Sequence, residues 1–312
     1  MDLTNVIDGI EQRAAASIKA EQGDYYGDDG LLYCGKCSTP KECRYELFGE
    51  MRTSRCLCKC REERYKREME KVRSATMYQN FTEYSRTATD FELLKWIDSR
   101  DYTICEQIVN ERQKLLKRIC FPSGDMSQMT FENDDRANEK VSKIMKNYAD
   151  NFETMKTDGK GILLFGEVGR GKSYLACCVG NALIEKGIPV LMTDFEWIEK
   201  KSGENYAERQ KFFDTLNEFP LLIVDDLGVE RNTPYMNSIV YTVIDNRVKA
   251  GLPIIVTTNL TANELKNPAE MTNQRIYSRL LGACIPVEVT GVDRRREALK
   301  EAHAVYKDIL GY

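Results

Sequence analysis

Apolar positions at spacings of three and four (Val6, Ile7, Ile10, Ala14 and Ile18) predict a helix over residues 1–22. Glycines and aspartates between Gly23 and Gly30 end it. Residues 61–73, REERYKREMEKVR, are nearly all charged, and Glu62 with Lys66 and Glu63 with Arg67 form favourable pairs four apart. That pattern predicts a solvated helix between two domains in preference to a basic nucleic-acid arm. Residues 76–118 read as mostly helical, with Phe91, Leu94, Trp96, Ile97, Ile104, Ile108, Leu115 and Leu116 on apolar faces and no chemistry of their own.

The rhythm changes after the break at Cys120-Phe121-Pro122-Ser123-Gly124. A helix over 134–156 leads to a strand at 161–165, a glycine-rich loop, and a helix to Lys186 that Gly187 is placed to end. A strand at 188–193, helices at 195–201 and 206–217, a strand at 220–225, a helix at 235–250 and a strand at 253–258 follow. Strands of continuous Ile, Leu and Val alternating with helices predict a buried parallel sheet in an α/β domain.

Composition narrows the classes. The 312 residues are 42% hydrophobic and 30% charged, ordinary for a soluble protein with sizeable cores. A net charge of -4 excludes a global basic field, so any nucleic-acid contact must be a local patch. Met1-Asp2-Leu3-Thr4 does not begin a signal peptide, and the apolar runs are too short for a bilayer. A cytoplasmic protein with no membrane partner is expected. Of eleven cysteines, six fall between Cys34 and Cys60, which in a reducing compartment favours metal over disulfides.

The loop after the first α/β strand reads Gly166-Glu167-Val168-Gly169-Arg170-Gly171-Lys172-Ser173, followed by Tyr174. It fits the Walker A pattern at every fixed position, between a strand and a helix. Glycines let backbone N–H groups turn towards phosphate oxygens, and the helix N-terminus adds partial positive charge. Lys172 is expected on the β- and γ-phosphates and Ser173 on Mg²⁺. A second element is expected on a neighbouring strand. Leu221-Leu222-Ile223-Val224-Asp225-Asp226 has Walker B form, with Asp225 for Mg²⁺ and Asp226 to polarise the attacking water. A third apolar strand ends at Asn259, placed to orient that water or to sense the γ-phosphate.

In the cysteine block, Cys34-x2-Cys37 and Cys56-x-Cys58-x-Cys60 make two chelating groups separated by a loop, as tetrahedral Zn²⁺ requires. Cys34 and Cys37 with two of Cys56, Cys58 and Cys60 are the favoured ligands, and Gly35 permits the tight turn between the first two. Cys43 remains a free thiol or a substitute ligand, and His303, the one histidine, receives no role.

The three phosphate-site strands, in this order, resemble the AAA+ P-loop ATPases. The resemblance implies an arginine finger at Arg279 or Arg275 in QRIYSRL, with Arg279 first, and a sensor II arginine within Asp293-Arg294-Arg295-Arg296, with Arg295 assigned to the nucleotide. The chain ends soon after Arg296, leaving no room for the usual C-terminal helical lid. That ending, with VDDLG at 224–228 and IVTTNL at 255–260, resembles the DnaC/DnaI and IstB branch, although the acidic pair is Asp-Asp where Asp-Glu is common. Residues 129–133 resemble the linker that crosses the adenine base, with Phe131 near the base or in the core. A zinc module before such a core resembles the DnaI-type helicase loaders. The resemblance therefore implies three parts: residues 1–75 binding zinc and the replicative DNA helicase, a helical linker over 76–118, and an AAA+ ATPase domain over 119–312. It implies self-association through the ATP sites and a hold on single-stranded DNA, for which Lys200, Lys201, Arg231, Tyr235 and Tyr241 are candidates. A transposition-helper ATPase and a non-hydrolysing ATP-binding module are the alternatives.

Overall fold

The computed structural model describes residues 20–296 except 48, 123, 125, 136, 204, 231 and 232, together with 299, 303 and 307. The helix expected over 1–22 therefore lies almost wholly outside the described residues, as does Arg231.

The chain forms two compact units. The first takes in residues up to Arg86 and returns over Asp101–Ile108. Two antiparallel pairs, β1 (Tyr25–Tyr26) with β2 (Leu32–Tyr33) and β3 (Glu42–Leu47) with β4 (Glu50–Arg55), precede α1 (Lys59–Tyr84). The boundary expected at residue 75 falls inside α1, and the division lies after Arg86. α1 has only Phe81 buried, as its charged sequence predicts. The β3–β4 hairpin was not legible in the sequence, because β4 is exposed at every position and so lacks an apolar face to mark it.

The second unit begins with α2 (Asp90–Asp98), set by a capping box between Thr89 and Glu92. The later part of α3 (Glu106–Cys120) belongs to it. The long helix expected over 134–156 is two, α4 (Glu139–Asp150) and α5 (Phe152–Thr157). Asn151 separates them with non-helical φ and ψ of -106° and 25°, its side chain donating back to the Asn147 carbonyl. Then come β5 (Gly161–Phe165), α6 (Lys172–Glu185), β6 (Val190–Asp194), α7 (Phe195–Lys201), α8 (Tyr206–Leu216), β7 (Leu221–Leu227), α9 (Pro234–Lys249), β8 (Ile254–Thr258), α10 (Ala262–Lys266), α11 (Met271–Ala283) and β9 (Cys284–Glu288).

The five strands β5 to β9 form one parallel sheet in the order β6-β7-β8-β5-β9. The carboxylate strand β7 is thus not the neighbour of the glycine-loop strand β5, because β8 runs between them. Side chains alternate between two cores. Ile162, Leu164, Leu221 and Ile223 pack on one face, and Leu163, Leu222, Val224 and Val256 on the other. β9 was missed because Pro286 interrupts it, which a strand tolerates at a sheet edge. Arg247 is fully buried beneath the sheet's entry side. Its guanidinium donates to the carbonyls of Leu216 and Pro220 at 3.1 Å and of Pro253 at 3.0 and 3.2 Å. Burial pushes it down to about 10. Among the described residues no helix is long and apolar enough to cross a membrane.

Candidate functional sites: a phosphate cradle and a thiolate cluster

β5, β7 and β8 all point their C-terminal ends at one place, the usual ligand end of an open parallel sheet. A cavity of about 270 Å³ lies there, lined by the loop from Val168 to Tyr174, by Asp226 and Asn259, and by Arg294 and Arg295. The loop's conformation needs its glycines. Gly171 caps α6 with φ 89°, and Gly169 has φ 80° with the Asp293 carboxylate where a Cβ would go. A side chain at either position would strain the turn and remove the close approach of backbone to ligand.

Lys172 is buried, and its Nζ donates to the carbonyls of Gly166 (2.9 Å) and Glu167 (2.8 Å) and to Asn259 Oδ1 (2.7 Å). Burial lowers its affinity for a proton, and the charges of Asp226 and Asp225 work against that. An ammonium held by neutral acceptors at the mouth of a helix N-terminus is poised to exchange them for phosphate oxygens. The contact also joins the first and third motifs, which are far apart in sequence. Ser173 lines the cavity beside it. Glu167 contributes its carbonyl to Lys172, while its exposed carboxylate pairs with Arg170, which holds it below the usual carboxylate range.

Asp225 and Asp226 sit at a bulge in the β7–β8 ladder, which is regular to Val224↔Val256 and resumes at Leu227↔Thr258. Thr257 stands opposite the two. Its hydroxyl donates to Asp225 Oδ1 at 2.5 Å and accepts from the Asp226 N–H at 2.9 Å. Asp226 has φ 54°, a left-handed conformation uncommon outside glycine. Burial, then the neighbouring Asp225 charge, raises its pKa. Arg295 lines the cavity, and its charge acts on both Lys172 and Asp226. Arg294 is anchored differently: it pairs with Asp134 and Asp135 and stands 5.7 Å over the Tyr174 ring.

Met126, Met129 and Cys177, outside the sequence motifs, complete the lining of the pocket. Asn181 donates to the carbonyls of Met126 and Met129, both at 2.9 Å, and so fixes a turn whose methionines line the cavity. Tyr174 donates to the Thr130 carbonyl at 3.2 Å. Phe131 packs against the core and does not line this cavity. A single amide within the otherwise apolar run from Leu175 to Ile184 was the one available sign of Asn181, which is buried.

The arginines on α11 differ in their surroundings. Arg279 is tied within its own chain to Asp245 at 2.6 Å and lies 4.7 Å over the Tyr241 ring. Arg275 is exposed beside a shallow cleft with Glu270 and Tyr241. Of the residues considered for DNA, Tyr235 is exposed with Arg209 5.1 Å over its ring, and Tyr241 serves as the platform for Arg279.

In the first unit, the sulfurs of Cys34, Cys37, Cys58 and Cys60 all lie within 4.8 Å of one another. Cys34 to Cys60 is 3.7 Å and Cys58 to Cys60 is 3.5 Å. A zinc tetrathiolate has sulfur–sulfur edges of about 3.8 Å, so the donor set and its spacing fit Zn²⁺. Cys37 is drawn down to about 6 by the Thr39 hydroxyl, then by the backbone N–H groups of Cys60 and Thr39. These are the outer hydrogen bonds that a thiolate ligand needs. Cys56 is not in the cluster. Its N–H is still in the ladder, donating to Lys41, and its sulfur faces the Pro40 carbonyl at 3.5 Å. Only beyond it does the chain turn, placing Cys58 as the N-cap of α1 and Cys60 in its first turn.

Comparison with known proteins places the chain in a family, through residues that include the phosphate cradle and not the cysteine cluster. The family model described as IstB-like ATP binding protein matches residues 67–302. The replicative helicase loader DnaI of Bacillus subtilis is 26% identical over 205 residues, 59% of this chain and 64% of its own length. The chain therefore spans a little under two thirds of that relative. The replicative helicase loader DnaC of Buchnera aphidicola subsp. Baizongia pistaciae is 26% identical over 61% of this chain and 80% of its own. A putative insertion sequence ATP-binding protein of Sinorhizobium fredii is 37% identical over 46% of this chain and 49% of its own. Among solved structures, that of DnaI aligns with a TM-score of 0.42 and 23% identity, over 57% of this chain and 92% of that one.

Proposed function

We propose, on the premise that this chain belongs to the IstB-like ATP-binding protein family, that it is an ATP-dependent loader of a replicative DNA helicase onto single-stranded DNA. The observation that carries the reading is the meeting of Lys172, Asp226 and Asn259 in one cavity on an ATP-binding family core, joined in the same chain to a four-cysteine cluster. Two relatives bearing the helicase-loader name support it.

In this reading Lys172 and Arg295 neutralise the β- and γ-phosphates, Ser173 and Asp225 hold Mg²⁺, and Asn259 and Asp226 orient the attacking water. When bound there, Mg²⁺ would neutralise charge on the transferring phosphoryl oxygens. Cys34, Cys37, Cys58 and Cys60 hold Zn²⁺, which cross-links the first unit, and that unit grips the helicase. A neighbour's arginine completes the ATP site. Arg275 is the more available, since Arg279 must first leave Asp245. DNA is held by a local basic and stacking groove, because the net charge of -4 gives no general attraction.

The test is a loading assay with the full chain, the host's replicative helicase, ATP and single-stranded DNA coated with binding protein. Unwinding should depend on this protein, and Lys172→Ala should lower both loading and phosphate release by roughly 10²-fold or more. Equal loading by Lys172→Ala would remove the reading. The insertion-sequence relative favours a second one, a helper ATPase for a transposase. Preference for duplex DNA, with no effect on helicase loading, would favour that.

A further inference from the structure

We propose that Thr257 is the positioning residue of the acidic pair: one buried hydroxyl, set opposite a β-bulge, holds the Asp225 carboxylate and the Asp226 main chain in the arrangement that binds the metal and aims the second carboxylate. The inference rests on the nucleotide-site reading and deepens it.

The ladder supplies the first part of the argument. Between Val224↔Val256 and Leu227↔Thr258 two residues of β7 face one residue of β8. A bulge of that kind bends the strand and re-aims side chains, and it leaves ladder groups without backbone partners. Here the vacancy is filled by side chains. The Thr257 hydroxyl accepts from the Asp226 N–H at 2.9 Å. On the next residue the Thr258 hydroxyl donates to the Leu227 carbonyl at 2.7 Å. Both threonines are fully buried, so neither hydroxyl can be replaced by bulk water.

Strain supplies the second part. Asp226 and Ser38 are the two described non-glycine residues with positive φ. A left-handed aspartate persists only where its surroundings over-determine it. Thr257 holds the Asp226 N–H at 2.9 Å while the Asp226 carbonyl accepts from the Val229 N–H at 3.2 Å, and the Thr257 proton goes to Asp225 Oδ1 at 2.5 Å. That direction of donation fixes one oxygen of Asp225 and leaves the other for a metal or its water. A single hydroxyl therefore couples the two carboxylates: as acceptor it sets where the Asp226 side chain points, and as donor it sets how Asp225 is turned. Valine has the same branching without the hydroxyl, and serine has the hydroxyl without the methyl.

The experiment measures Mn²⁺ binding to the full-length, zinc-loaded chain with saturating ADP, by electron paramagnetic resonance, for wild type, Thr257→Val and Thr257→Ser. Nucleotide affinity is measured separately in EDTA. Thr257→Val should weaken Mn²⁺ about 10-fold, as loss of a hydrogen bond to a metal-ligating carboxylate does. Its metal-free nucleotide affinity should stay within about 2-fold of wild type, and Thr257→Ser should recover most of the Mn²⁺ affinity. Thr257→Ala lacks the same hydroxyl and replaces the valine variant if that chain does not fold. Unchanged Mn²⁺ affinity in the folded valine or alanine variant, or a serine variant no better than valine, overturns the proposal while leaving the nucleotide site standing. A wild-type chain that binds neither ADP nor Mn²⁺ overturns both.

Discussion

The two units solve the problem of holding a fold in opposite ways. The second buries a sheet between two apolar cores, with Leu163, Leu222, Ile223 and Val256 completely inaccessible. The first has a few buried apolar residues, such as Leu32 and Phe81, and puts cysteines and a buried lysine where a core would be. Lys41 is buried against Asp24 at 2.5 Å, and Cys34, just after β2, and Cys58, at the N-cap of α1, are buried as well. A unit with so few buried apolar side chains gains little hydrophobic stabilisation, and a cross-link adds what its core does not supply. Polar groups recur in both units but in different roles. In the second unit they gather around the cavity at the C-terminal ends of the strands of an apolar body. In the cysteine unit they are the body.

Removing metal should break this comparison open with the largest effect. A strong chelator, or Cys58→Ser, should release about one zinc per chain and unfold the β3–β4 region, since structural zinc supplies on the order of 10 kcal/mol to such modules. Nucleotide affinity and the thermal transition of the second unit should not move. Hydrogen exchange separates the two: protected β3–β4 amides in metal-free protein would show that the first unit has another source of stability.

The converse experiment acts on the second unit. Arg247→Met leaves the carbonyls of Leu216, Pro220 and Pro253 buried without their donor. It should cost about 3 kcal/mol and lower the second unit's transition by roughly 6 to 12 °C. Zinc content should stay the same. Calorimetry with metal analysis checks both, and a joint loss of zinc would mean that the units do not fold independently.

A smaller effect is expected at Asp245. Hydrogen bonds from Lys249, and then Arg279, hold its carboxyl below the usual range. A lowered carboxylate pKa contributes stability above the free value of about 3.9, and that stability disappears as pH falls through the lowered value. Asp245→Asn should therefore cost about 1 kcal/mol at pH 7, with the difference from wild type shrinking in acid. The variant also frees Arg279. Faster ATP turnover in Asp245→Asn would identify Arg279 as the arginine that reaches a neighbour, and unchanged turnover would leave Arg275.

The sequence by itself determined the α/β class, the glycine loop, the acidic pair, the Asn259 strand and the first two cluster cysteines, Cys34 and Cys37, with the other two confined to Cys56, Cys58 and Cys60: these are local patterns, fixed by strand hydrophobicity, turn chemistry and ligand spacing. Tertiary structure decided the rest. The choice of Cys58 and Cys60 over Cys56 depended on where a strand ends and a helix begins, which spacing does not encode. The insertion of β8 between β5 and β7 is a matter of sheet order, and a run of Ile and Val is the same in any position. Thr257, Asn181 and Arg247 act through hydrogen bonds to partners distant in sequence or to backbone carbonyls. Such roles belong to the geometry of a closed fold, and a threonine in an apolar strand reveals its partner only when the neighbouring strand is beside it.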